Sequence, residues 1–308
     1  AQRMRILDCA QSWATAISLS ELGIGLPDGE ISYSDIATHL ALALLGHERA
    51  GWLGAATEER WSAWLPSILS YPLEPSAPVR GRLLRIASER FPDRVLAEIG
   101  QQLDKEVAVE SRHFTGLGDL QAVWSPQAAA MVHAYLQRLT DPDQRKAFLK
   151  VLLNRQDATA VSLALTEFAA AVDSGAAETG RSLELAEMLM EHAPSAAWPP
   201  LWARSQQDPA YGEALWSKLA GRYHWLAALH ESQLGDLYLW LEERFPAATD
   251  PVRPSMQVYS PTSRDHVARL RDGCVGQLSA AATVQSVAVL QSLCDRFPGQ
   301  HALVESLL

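Results

Sequence analysis

The chain has 308 residues, 48% hydrophobic and 20% charged, which is ample for a large core, and its formal net charge is −10. Excess acid argues against a generic phosphate-binding face, which needs clustered Lys and Arg, and so against nucleic acid as a partner. There is no 18-residue apolar stretch and no signal-peptide pattern, so neither membrane insertion nor secretion is expected and a cytoplasmic location is. Cys9, Cys274 and Cys294 are scattered and odd in number, which suits reduced thiols packed as small hydrophobes better than a disulfide frame. Ala1 falls inside a helix-like run, and "GQHALVESLL" starts a further helix without a polar capping repeat, so the chain reads as a piece of something longer.

Ala and Leu dominate and alternating strand patterns are nearly absent, so the predicted elements are all helical. After "AQRMRILDCAQSWA", Ser34 or Asp35 is the natural N-cap of "SDIATHLALALLGHERAGWLGAA". "EERWSAWLPSILSY" stops at Pro72. Ser76 and Pro78 open "SAPVRGRLLRIASERFP", in which Leu83, Leu84, Ile86 and Ala87 pack and Arg90 closes. "DRVLAEIGQQLDKEV" follows a corner at Pro92. "ESRHFTGLGDLQAVW", with Gly116 and Gly118, reads as a loop. Ser125 as N-cap and Pro126 at the first helical position start "SPQAAAMVHAYLQRLTDP". "PDQRKAFLKVLLNR", "DATAVSLALTEFAAAV", "RSLELAEMLMEHAP", "PAYGEALWSKLAGRY" and "ESQLGDLYLWLEERFP" are further helices. A proline-punctuated connector over 247–262 leads to "SRDHVARLRDGCVGQL" and "TVQSVAVLQSLCDRFP".

Arg-Phe-Pro closes a helical run three times, ending at Pro92, Pro246 and Pro298. Each is a stop signal: proline has no N–H and clashes with the preceding turn, and a basic residue in the last turn faces the negative end of the helix dipole. Pro142, Pro194, Pro246 and Pro298 lie 52 residues apart, and Pro92 lies 50 before Pro142. The grid predicts units of about two helices over 1–92, 93–142, 143–194, 195–246 and 247–308. Helix pairs cannot bury their apolar faces alone, so the expected architecture is an α-solenoid of HEAT-like pairs with a period of about 52 residues, one array over 1–308.

Catalytic patterns are missing: there is no phosphate-binding loop, nucleophile elbow, H-E-x-x-H or C-x-x-C. His39 and His47 are two turns apart, one packing and one exposed. Glu58-Glu59 and Glu242-Glu243 sit on polar faces, and Arg264, His266 and Arg271 are expected on a solvated face. The ten tryptophans include Trp61 and Trp64 at i,i+3, Trp198 and Trp202 at i,i+4, and Trp216, Trp225 and Trp240 in the same unit. They serve either as packing between helices or as an aromatic surface for a protein partner. In the connector, Arg253, Met256 and Tyr259 lie among Pro251, Pro254 and Pro261, in either a spacer or a docking loop. The candidate protein-binding residues are therefore Trp198, Trp202, Arg253, Met256 and Tyr259.

Residues 231–298 resemble the C-terminal helical region of bacterial STAND-type, NACHT-like NTPases. The resemblance rests on Leu234, Asp236, Leu237, Tyr238, Trp240 and Leu241 in a helix ending at proline, on Asp250-Pro251, on Arg264-Asp265, and on Leu270-Arg271-Asp272. The family's Gly-Thr between its last two helices is here Ala282-Thr283. The resemblance implies a HEAT-like sensor or scaffold that binds a protein trigger, of phage or self origin, or holds the NTPase inactive in antiphage defence. Oligomerisation would then be driven by domains outside this chain. No nucleotide or effector residues are present, so the chain is expected to be non-catalytic and without a cofactor. The alternatives are a free-standing HEAT-like protein-binding adaptor with no NTPase and, less favoured by charge, a nucleic-acid binder.

Overall fold

Every regular element is a helix in the computed structural model, which describes residues 2–17, 33–70, 77–109, 113–175, 179–251 and 260–300, with 303, 305 and 306. Among the described residues there are sixteen α-helices and no strand, as the composition predicts. The chain forms two compact units, Ala1–Leu152 and Leu153–Leu308.

The first unit contains α1 (Gln2–Ala16), α2 (Tyr33–Glu48), α3 (Ala50–Gly54), α4 (Glu58–Ser70), α5 (Ala77–Ser88), α6 (Pro92–Ala108), α7 (Thr115–Ala122), α8 (Pro126–Arg138) and α9 (Pro142–Leu153). The second contains α10 (Ala158–Asp173), α11 (Thr179–His192), α12 (Pro194–Gln207), α13 (Pro209–Leu219), α14 (Glu231–Arg244), α15 (Ser263–Ala281) and α16 (Val284–Arg296), with short 3-10 segments at His224–Ala228 and Ala247–Thr249.

Helices end where the proline stops require, and four of those ends share one backbone shape. Phe91, Ala193, Phe245 and Phe297 each precede a proline, with φ of −132°, −143°, −131° and −130° and ψ of 56°, 51°, 69° and 63°. Each still donates its N–H to the carbonyl four residues back, at 2.7 to 2.9 Å. The pre-proline residue is thus the last to hydrogen-bond into the helix and the first to leave helical dihedrals. At Pro142 the corner differs, because α8 has already ended at Arg138 and Leu139 is extended. The basic residue at the first stop works at longer range than a dipole argument implies. Arg90 donates to the carbonyls of Gly54 and Ala56, at the end of α3, at 2.6 and 2.9 Å. Ser125 caps α8 as expected, accepting from the N–H of Ala128.

In the first unit, an apolar core of Leu42, Leu45, Trp61, Trp64, Leu83, Leu84, Ile99 and Leu103 encloses a set of polar groups that periodicity does not reveal. Trp61 and Trp64 meet edge to face at 5.3 Å, and the Trp64 indole donates to the Ala14 carbonyl. On α5, Arg80 is 2% exposed and forms an ion pair with Asp119 of α7, itself buried. Ser67 of α4 donates to Asp35 of α2 at 2.6 Å, so Asp35 lies inside the first turn of a helix that begins at Tyr33 rather than capping it. His39 is buried and His47 exposed, as the sequence suggests. Burial, and secondarily the Arg80 guanidinium, pulls the His39 imidazole down to about 4.

The stretch expected as a loop contains α7, and the reason lies outside it. Buried Glu106, in the last turn of α6, accepts the N–H groups of Thr115 and Gly116 and the Thr115 hydroxyl, so it supplies the missing N-cap from another helix. Gly116 is needed for proximity: a Cβ there would fall 2.8 Å from Leu103.

Ala282 ends α15 at φ 48°, ψ 34°, the left-handed conformation, where the resembled family has Gly. A side chain costs about 1–2 kcal/mol in that conformation, so Ala282→Gly is expected to raise stability by about 0.5–1 kcal/mol in urea unfolding; a loss of stability would refute the assignment. For His39, the folded value of about 4 lies below the ordinary 6.5, so the unfolded chain takes up a proton first as pH falls. Stability is therefore held above pH ~6.5 and lost toward pH ~4, by on the order of 3 kcal/mol from this group. Urea unfolding of His39→Leu should lack that part of the acid slope.

Candidate functional site

Trp198 and Trp202 sit on α12, a helix that starts with Pro194 at its first position and carries Pro199 and Pro200 inside it. Their i,i+4 spacing puts them on one face, and their rings stack 5.0 Å apart at 13°. Trp216 of α13 joins at 5.6 Å from Trp198 and 6.2 Å from Trp202, and Trp225 lies 6.1 Å beyond Trp216. The four indoles form a continuous ladder. Trp198, Trp216 and Trp225 are buried and Trp202 is half-buried, so the ladder is mostly core with one ring reaching the surface. Such ring pairs contribute about 0.5–1.5 kcal/mol each beyond the area they bury. The Trp216 and Trp225 N–H groups are buried without a hydrogen-bond acceptor, which means packing holds the ladder, not polar anchoring. Trp240 of α14 is also buried, against Phe245 at 6.4 Å, and presses so close to Gly212 that a Cβ there would lie 2.8 Å from the indole.

The other candidates, Arg253, Met256 and Tyr259, fall within 252–259 and lie outside the described residues. A buried charge cluster holds the two ends of their connector. Arg271 of α15, 3% exposed, donates to the Phe245 carbonyl and the Asp250 carboxylate, and its guanidinium is 3.3 Å from Glu242. Glu242 in turn accepts the Ala247 N–H, at 3.0 Å. Arg264 donates to the Pro246 carbonyl and the Thr249 hydroxyl at 2.6 Å, with Asp250 at 3.0 Å. At the far end, Thr262 and Asp265 cap α15 reciprocally. Two guanidinium groups thus face two carboxylates, and the remaining N–H groups hold backbone oxygens. Breaking such a cluster by removing one charge costs roughly 3–5 kcal/mol, since the partners are left buried and unpaired. Burial also pushes the neighbouring Asp272 carboxyl up, with Arg271 pulling it back.

This corrects two expectations. Arg271 is a core residue and Arg264 is mostly covered, so neither belongs to a solvated face. Glu242 is buried as well, while Glu243 is exposed and pairs with Arg296 at 2.6 Å. A charged residue on a helix reads as exposed from its own surroundings, and the carboxylates that bring Arg271 inside are 21 and 29 residues away in sequence.

Among the described residues no group of three or more His, Cys, Asp or Glu is placed to hold a metal ion. The clamp and the ladder are built for shape and cohesion: their charges face one another, and their rings stack on rings. No protein-family model matches the chain, and neither do any curated protein or solved structure.

The ladder predicts a graded response. Trp198→Ala is expected to destabilise the chain by about 3–5 kcal/mol, as for a buried aromatic, and Trp202→Ala by clearly less, both read from denaturant midpoints. Equal small effects would mean that Trp198 is not core.

Proposed function

We propose that this chain is a non-catalytic helical-repeat sensor or scaffold region of a STAND-type NTPase, acting in the cytoplasm on a protein trigger or on the NTPase itself, in antiphage defence. What supports this is the role of the residues that carry the resemblance. Tyr238, Trp240 and Leu241 are core, Asp250, Arg264 and Arg271 form the clamp, and Asp265 caps α15. A sequence signature made of packing and clamping residues suits a region whose work is to hold a shape. The four matching pre-proline corners favour helix pairs of about 52 residues stacked as a HEAT-like solenoid, with Trp202 as the described candidate that reaches the surface.

The test is the native polypeptide. An antibody to this segment should detect a band far above 33.7 kDa in cells of the source organism, and the immunoprecipitate should hydrolyse ATP or GTP. A band at 33.7 kDa would overturn the proposal in favour of an independent adaptor.

A further inference from the structure

The second unit holds a cleft of about 320 Å³, lined by Val172 of α10, Ser182 of α11, Arg204 of α12, Asp208, and Tyr211 and Ala214 of α13. The volume is at the lower end of small-molecule sites, and the wall mixes apolar surface with a few convergent polar groups. Arg204 is the cation among them, and Asp208 is the carboxylate that pairs with it. Arg204 donates to Asp208 at 2.8 Å, and its guanidinium lies 5.3 Å from the centre of the Tyr211 ring, so two neighbours fix its plane. Its side chain is 30% exposed. Asp208 is its hydrogen-bond partner, so most of its five N–H donors remain for something else, and its Nε is buried without an acceptor.

The surroundings favour an anion. Asp208 divides its charge between Arg204 and the N–H of Tyr211, which it caps at 3.1 Å, and the cleft opens at the start of the 11-residue helix α13. Tyr211 is 7% exposed, and its hydroxyl is buried against the Ser182 side chain, with which it hydrogen-bonds. Burial raises this phenol above its usual range, with the Ser182 hydrogen bond pulling it back. One guanidinium, already half-compensated by Asp208, matches a single negative charge better than a phosphate dianion, and its planar fork matches a carboxylate. The chain's overall acidity matters little at physiological salt, where charges beyond about 8 Å are screened.

We infer that this cleft binds a carboxylate carrying a small apolar body, with Arg204 gripping the carboxylate and Val172 and Ala214 lining the apolar part. The group can belong to a free organic acid or to the C-terminus of a peptide. The inference is independent of the NTPase reading.

The experiment is an amide-detected NMR titration of the intact chain at physiological salt. The probes are benzoate and its neutral counterpart benzamide, and a leucine-terminated tripeptide as free acid and as C-terminal amide. Benzoate should shift the amides of residues 204–214 and bind at least about tenfold more tightly than benzamide, the worth of a charge-assisted bond. The tripeptide acid binding over its amide would identify peptide termini as ligands, and benzoate binding alone would identify free acids. Arg204→Met should abolish the preference for the acid. Because that change also removes the Asp208 bond, Ala214→Trp is the second variant: Ala214 is exposed, so the fold should keep its melting temperature while the indole fills the cleft and binding is lost. The inference falls if neither acid binds, if amides bind as well as acids, or if a folded Ala214→Trp chain binds benzoate like the parent.

Discussion

A helix cannot run through a proline whose predecessor has left helical dihedrals, and the corners of this protein are built on that constraint. Phe91, Ala193, Phe245 and Phe297 adopt almost the same φ and ψ, although the next element is different each time: α6, α12, a short 3-10 segment and a turn. The corner is a local device, and it determines where each helix releases its last carbonyls. At the Phe245 corner and at the end of α8, arginines from elsewhere donate to those carbonyls. Arg271 reaches the Phe245 carbonyl, Arg264 the Pro246 carbonyl, and Arg145 the Leu136 and Leu139 carbonyls at the end of α8. At the Phe245 corner, the stop and the arginines that satisfy it are two halves of one joint, the first written locally and the second assembled by folding.

This division explains how much of the fold is legible in the sequence. The all-helical class, the proline stops and the Ser125 cap depend on residues within a few positions of one another, so they can be read directly. The helix at Thr115–Ala122 cannot, because its cap is the Glu106 carboxylate at the end of α6 and its glycine serves close approach to Leu103. Arg80, Glu242 and Arg271 look like surface charges for the same reason: each is buried by a partner on another element. At the site, the spacing of Trp198 and Trp202 reveals their shared face. The junction with Trp216 and Trp225 requires the packing of α13 and the 3-10 segment after it against α12, which no periodicity encodes.

At the left-handed Ala282 the balance is reversed. Ala282 takes that conformation in the turn between α15 and α16, and directly after it Thr283 and Ser286 cap the start of α16 reciprocally. Here the local residue is a poor match and the tertiary packing overrides it: Leu278 is buried on one side of the turn and Leu290 on the other, so the backbone is held where alanine alone would not put it.

Three arginines in the second unit separate structure from recognition. Arg271 is buried among two carboxylates and a carbonyl, so its charge and its donors are consumed by the fold. Arg264 is spent on a carbonyl, a hydroxyl and Asp250. Arg204 is different: one carboxylate holds it, an aromatic ring orients it, and it borders open volume. Its side chain is 30% exposed, so the terminal N–H donors that Asp208 does not use face water or a ligand. Its ion pair with Asp208 and its contact with the Tyr211 ring hold the guanidinium in place, and recognition of a planar anion draws on that pre-organisation.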